Sequence, residues 1–296
     1  MSTHSHEPRS KRPLRALIAV LLITACVMVL EIVIGLMSHS LALLADAGHM
    51  VTDVAALGMS LAAMWIAQQP ATRTKTFGFY RTEILAAFLN GLTLWLLVIW
   101  IGYEAVRRFW HPPIVRAPMM LVTAVIGLAA NLVCSWLLVG DQRHSLNLRA
   151  AYLHILADAL GSVGVIIAAI VIWLTGWYEA DPVASLLVCG VILWGSWNLI
   201  RQSVNVLLEG TPGHINVVEV MRAIQTLPEV KVVHDVHIWT LTSGMESMSG
   251  HVVVYDLSTS RGVLKRLHTM LLEKFGIHHA TLQIEDEDLQ SSEPKI

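Results

Sequence analysis

Histidine and aspartate recur one helical turn apart at two places, His49 with Asp53 and His154 with Asp158, each inside a strongly apolar stretch. Residues four apart stack on one face of a helix. Ionisable groups at bilayer depth are expensive and mark substrate or ion pathways. Together the two pairs offer two imidazole nitrogens and two carboxylate oxygens, a donor set suited to a tetrahedral zinc-like cation. Two carboxylates offset the charge of a divalent ion, and imidazole favours zinc over magnesium or calcium. Metal ligands must be deprotonated, so protons and metal compete for the same four groups. That competition suggests metal/proton antiport, with histidine suited to change protonation in the physiological range.

These pairs need helices inside a membrane to hold them, and the composition supplies such helices. Of 296 residues, 55% are hydrophobic and only 14% charged, against about 25% in soluble proteins, with a mean hydropathy of +0.60. The net charge is -2, without a basic patch, which argues against nucleic acid as a partner. Cys26, Cys134 and Cys189 lie in apolar runs without C-x-x-C spacing and read as small hydrophobes. Lys11, Arg12 and Arg15, ahead of an apolar run reaching Cys26, imitate a lipoprotein signal. The run continues beyond Cys26, however, so cleavage would divide a full span.

Six stretches are long enough to cross about 30 Å of hydrocarbon: 14–37, 41–67, 83–109, 118–139, 150–176 and 182–203. Basic residues at Arg9, Lys11, Arg12, Arg15, Arg73, Lys75, Arg81, Arg143, Arg149 and Arg201 fall on one side, with Arg107, Arg108 and Arg116 as exceptions. The positive-inside rule puts both termini in the cytoplasm. On this orientation Asp53 lies roughly 18 Å below the outer end of its span and Asp158 roughly 12 Å above the inner end, so the pairs meet near the midplane. Trp65, Trp110 and Trp177, near span ends, read as interfacial anchors. Asp46, three residues before His49, is open to two readings, a pathway residue or a structural hydrogen bond. For Glu31, Asn90 and Asn131, interhelical hydrogen bonding is the default.

After Gly210-Thr211-Pro212-Gly213 the composition becomes that of a soluble domain. Periodicity predicts a helix over 216–226, strands over 230–241 and 247–255, a helix over 259–275 and a strand over 281–285. The order αββαβ predicts a two-layer α+β domain of ferredoxin-like type. The expected division is an N-terminal arm 1–13, a six-helix transmembrane domain 14–208, a cytoplasmic domain 209–286 and a disordered tail 287–296.

The run Ser40-Leu41-Ala42-Leu43-Leu44-Ala45-Asp46-Ala47-Gly48-His49-Met50 with Asp53 is followed by Phe77-Gly78 with Arg81, His154 with Asp158, and His237-Ile238-Trp239. With these motifs the whole chain resembles the cation diffusion facilitator family, and within it the bacterial zinc exporters. The resemblance implies a homodimer in the inner membrane that exchanges zinc for protons, with a ferredoxin-like cytoplasmic domain. By position it implies that His49, Asp53, His154 and Asp158 form the transport site, histidine at 49 favouring zinc over cadmium. It also implies a cytoplasmic site at His234, His251 and Glu285, with His278 at a further ligand position and His237 and His279 as adjacent alternatives. Where some relatives bind zinc between spans two and three, Thr72, Lys75 and Phe79 stand here, and no metal is expected. Arg81 and Glu209 match a charge pair that links membrane and cytoplasmic domains. His4 and His6, in the arm, read as incidental.

Two rival readings differ in class. An intramembrane metalloenzyme needs a base beside an open metal position, and the sequence has no H-E-x-x-H. A membrane-anchored metal sensor would bind the same ions without moving them, so flux separates it from an exporter.

Overall fold

In membrane-spanning sequence the backbone must satisfy its own hydrogen bonds, and helices do so within one segment. The computed structural model describes residues 12–138, 146–242 and 244–292; His4, His6 and Arg143 lie outside them. Six long helices come first: α1 (Arg12–Ser38), α2 (Leu41–Ala67), α3 (Thr82–Trp110), α4 (Ala117–Leu138), α5 (Leu146–Thr175) and α6 (Ala180–Leu207). In α1, α3, α4, α5 and α6, segments are long and apolar enough to cross a membrane. The sixth, α2, is a continuous helix that carries Asp46, His49 and Asp53 along its apolar length. Helix α5 starts earlier than the expected 150, because hydropathy falls at Arg149 while helical hydrogen bonding continues through it.

The chain divides into two units, one built on residues 1–58 and 90–197, the other on 59–89 and 198–296. In the first, α4 packs against α1 and α5. One apolar cluster joins Ala42 and Leu43 of α2 to Met120 and Ala124 of α4, Ala168 and Ala169 of α5, and Ala184 of α6. A second joins Ala45 of α2 to Leu94, Ile101 and Ala105 of α3 and Val188 and Cys189 of α6. Alanine dominates the first of these clusters, as small residues do where helices approach closely in lipid. Large side chains such as Leu96, Trp136, Leu160 and Trp194 point outward and are exposed, the surface expected against acyl chains.

The second unit carries the C-terminal domain: α7 (Val217–Gln225), β1 (Val230–Thr242), β2 (Met245–Val254), α8 (Ser260–Phe275), β3 (Ile277–Glu285) and α9 (Glu287–Ser292). This is the expected αββαβ order. Strand β1 pairs antiparallel with β2, and β2 pairs parallel with β3, the latter requiring the crossover that α8 provides. Asn216 caps α7 by accepting from the Val218 amide at 3.0 Å. Gly276 ends α8 with φ 68°, a left-handed cap that favours glycine. Val220, Ile224, Val263, Leu267 and Leu271 of the helices pack with Val233, Met248 and Val252 of the sheet. Strand β3 starts earlier than the expected 281, since His278 and His279 hide the alternation that Ile277 begins. Within the stretch expected to be a disordered tail, α9 forms, with Asp286 Oδ1 accepting from the Leu289 amide at 2.9 Å.

Candidate metal centres

The spacing of α2 sets Asp46, His49 and Asp53 along one face, three to four residues apart. His49 Nε2 lies 3.6 Å from Asp53 Oδ2 on its own helix and 3.7 Å from Asp158 Oδ1 on α5. One imidazole therefore stands between carboxylates from two helices. The three side chains are 19%, 32% and 19% exposed, so the cluster is sheltered without being sealed. His154 lies one turn before Asp158 on α5, and its side chain is outside the described residues. Backbone turns beside this cluster are tied by Thr52 Oγ1, which donates to the His49 carbonyl at 2.6 Å, and Ser162 Oγ, which donates to that of Asp158 at 3.1 Å. Gly48 lets α3 approach, because a Cβ there would stand 2.9 Å from Leu97 Cδ1.

Further acids surround this cluster. Asp46 is buried, with Oδ1 4.0 Å from where a Cβ on Gly161 of α5 would stand. Glu31 of α1 is buried over Gly127 of α4, its Oε1 2.8 Å from the place a Cβ would take, so glycine is what leaves room for the carboxyl. Glu31 is within electrostatic reach of Asp46 and Asp158, and Asp46 of Asp158 and Asp53. Such a concentration of acids favours a cation strongly in a low-dielectric setting. Neither Glu31 nor Asp46 has the shared-ligand geometry of His49.

The helix bearing His49 is held at its N-terminal end by a residue far from it in sequence. Asp181, at the start of α6, is fully buried. It accepts from Ser40 Oγ at 2.6 Å, the Leu41 amide at 2.7 Å and the Ala42 amide at 3.2 Å. It thus caps α2 from 140 residues away, satisfying donors that a helix N-terminus leaves open. Arg108 braces the carboxylate at 3.4 Å while donating to the His39 carbonyl at 2.6 Å. Nothing local at 181 signals this role.

The second centre lies in the C-terminal domain. His234 of β1 faces His251 of β2 directly across the sheet, and Glu285 of β3 is paired with Val253, two residues along from His251. Period-two alternation puts all three side chains on one face, opposite the helices. Their donor atoms lie within 4.8 Å of one another, the one such set of three among the described residues. Glu285 is fully buried; its Oε2 lies 3.4 Å from His234 Nε2 and its Oε1 lies against His251 Nδ1. Neither oxygen makes a hydrogen bond. A fully buried carboxylate set against two imidazoles fits a divalent cation of zinc type.

His278 is not brought to this set. It stands seven residues before Glu285 on β3, roughly 23 Å at strand rise, and lines a cavity of about 710 Å³ with Phe77 and Tyr80. His279 meets Phe77 edge-on, with ring centroids 6.1 Å apart. Sequence reasoning missed Asp235, whose Oδ1 is 2.9 Å from His237 Nε2 and whose Oδ2 is 3.8 Å from His251 Nε2. Its signal was faint, an aspartate next to a candidate ligand. In the loop after α2, the Thr72 and Lys75 backbones bond each other, and Lys75 Nζ lies 5.4 Å from the Phe79 ring centroid. Arg81 donates to Glu209 Oε1 at 2.8 Å, an exposed pair of small energetic weight. Glu83, in the first turn of α3, accepts from Thr242 Oγ1 at the end of β1.

Residues 17–208 match the cation efflux transmembrane domain, and residues 212–287 match the cytoplasmic domain of cation efflux proteins. The chain is 43% identical over 290 residues to a cadmium, cobalt and zinc/H(+)-K(+) antiporter of Bacillus subtilis, covering 96% of this chain and 92% of that protein. It is 44% identical to the metal cation efflux system protein CzcD of Cupriavidus metallidurans, over 96% of this chain and 89% of CzcD. Identity to the zinc transporter ZitB of Escherichia coli is also 44%, over 96% and 90% of the two chains. Among solved structures, the metal-bound C-terminal domain of CzcD is similar at 44% identity over 24% of this chain and 99% of that one, with a TM-score of 0.23.

Proposed function

The chain belongs to the cation efflux family, whose members are transporters and not enzymes, and on that premise we propose that it exports zinc from the cytoplasm in exchange for protons. The observation that carries the reading is the placement of His49 Nε2 between Asp53 and Asp158, within 3.7 Å of both. A cation shared by α2 and α5 responds to any relative motion of these helices, as alternating access requires. Zinc is the substrate, and His49, Asp53, His154 and Asp158 are its ligands. Partial exposure of the described three leaves a route in and out, while protons arriving from outside compete for the same lone pairs. Asp46 enriches the pathway with negative charge. Three relatives whose names specify zinc or metal efflux, each matching nearly the full chain, support the substrate class.

The protein works in this reading as a homodimer in the inner membrane with both termini in the cytoplasm. Zinc bound at His234, His251 and Glu285 ties three strands together and biases the dimer toward a transport-ready form. Arg81 and Glu209 steady the chain where the cytoplasmic domain begins. Zinc uptake into proteoliposomes tests the proposal. Asp53→Ala and Asp158→Ala are each expected to lower flux by about a hundredfold or more, the upper range even for residues that merely support metal ligands. Retained flux in both variants would remove the shared site from the account.

A further inference from the structure

We infer that Asp235 is a positioning residue for the C-terminal metal centre, its carboxylate holding the proton of His251 on Nε2 so that Nδ1 is presented to the metal. The inference rests on the proposal that His234, His251 and Glu285 bind zinc, and it concerns a residue outside that set.

Backbone geometry supplies the first observation. The β1–β2 register shifts between His234 and His237, where three residues of β1 span two of β2, a bulge directly beside the His234–His251 pair. Such bulges re-aim side chains next to functional sites. At this one Asp235 takes φ 49°, the left-handed region that a non-glycine residue enters at an energetic penalty. The second observation is where the strained residue sends its side chain. Oδ1 reaches His237 Nε2 at 2.9 Å, while Oδ2 lies 3.8 Å from His251 Nε2, a gap that a small ring rotation or one water spans.

His251 is thus placed between two carboxylates, Glu285 at Nδ1 and Asp235 at Nε2. A neutral imidazole has one donor nitrogen and one acceptor nitrogen. A metal at Nδ1 demands the lone pair there and the proton on Nε2, where an ionised carboxylate can only accept. This is the carboxylate–histidine–metal arrangement that fixes the tautomer and raises ligand basicity. A second ion held by Asp235, His237 and His251 is the competing use of the same residues. The geometry disfavours it, since only His234, His251 and Glu285 bring three donors within mutual reach among the described residues.

The test uses full-length protein carrying Asp158→Ala, so that the C-terminal centre reports with the membrane centre disabled. Zinc affinity and stoichiometry are measured by competition with a chromophoric chelator, and thermal stability is measured without metal. Asp235→Gly relieves the backbone strain while deleting the carboxylate, and Asp235→Asn keeps the shape without the charge. Both are expected to weaken zinc binding about 10- to 100-fold at unchanged stoichiometry, with metal-free Asp235→Gly melting no lower than its parent. Affinity within twofold of the parent in both variants would overturn the inference, as would a loss of one bound zinc, which would make Asp235 a ligand. Glu285→Ala tests the underlying site separately: undiminished zinc binding in that variant would overturn the three-residue centre and the role of Asp235 with it.

Discussion

The two centres use the same side-chain chemistry and opposite architecture. In the helical region, α2 contributes a histidine–aspartate pair within one turn, and Asp158 arrives from a second helix. In the C-terminal domain, three adjacent strands each contribute one residue, from positions 234, 251 and 285. Helices can shift as rigid bodies, so a site divided between two of them can open and close. Strands joined by backbone ladders cannot separate without losing the sheet. Exposure follows the same division, with Asp53 at 32% in the membrane cluster and Glu285 at 0% in the sheet. The contrast matches a site that must release its ion and one that retains it.

The sharpest way to break this contrast is to delete one carboxylate from each centre and compare zinc flux. Asp158→Ala is expected to lower flux about a hundredfold or more, whereas Glu285→Ala, which disables the proposed strand-borne site, is expected to change it only a few-fold. Equal losses would mean that both centres lie on the transport route. The next effect is on stability. Zinc at a hundred times its dissociation constant stabilises a domain by about 2.7 kcal/mol. Thermal melts should show this gain for the C-terminal domain of the parent and not of Glu285→Ala.

Asp181→Ala probes what holds the membrane centre in place. Loss of the cap on α2 is expected to destabilise the helical domain by about 2 kcal/mol, read as a lowered melting temperature in detergent. An unchanged melt would deny Asp181 its role in setting α2. The smallest effect concerns acid stability away from both centres. The hydrogen bond from Arg266, 2.7 Å from Glu229 Oε1, holds the Glu229 carboxyl below the usual carboxylate range. A depressed folded-state value stabilises above the unfolded pKa of about 4.3, and that contribution is lost as pH falls through the folded value. Parent and Arg266→Gln should therefore differ slightly at neutral pH in amide exchange over β1 and converge in acid.

Legibility in sequence follows the range of the interactions. The bounds expected for α2 match the helix, and each His-Asp pair lies within a single turn, where helical spacing alone aligns the residues. The meeting of His49 with Asp158 needed depth arithmetic across two spans, which works because a bilayer imposes a common ruler. The strand-borne set was reachable only through family resemblance, since cross-strand pairing leaves no local spacing at 234, 251 and 285. His278 shows the limit of that route, because position in an alignment does not shorten the distance along β3. Asp181 and Asp235 were hidden for a physical reason: one acts across 140 residues, the other through a bulge that no propensity at position 235 announces. The short helix after Asp286 depends on a single side-chain cap within otherwise polar sequence.

The central claim is that one site, shared by α2 and α5, is contested by zinc and protons. Its most direct test is simultaneous measurement of zinc uptake and proton counterflow in proteoliposomes under an imposed pH gradient. The account predicts zinc uptake accompanied by proton movement in the opposite direction, with zinc flux falling when an ionophore collapses the gradient and both fluxes absent in Asp53→Ala and Asp158→Ala. Zinc moving at an unchanged rate without a gradient and without proton movement would contradict it.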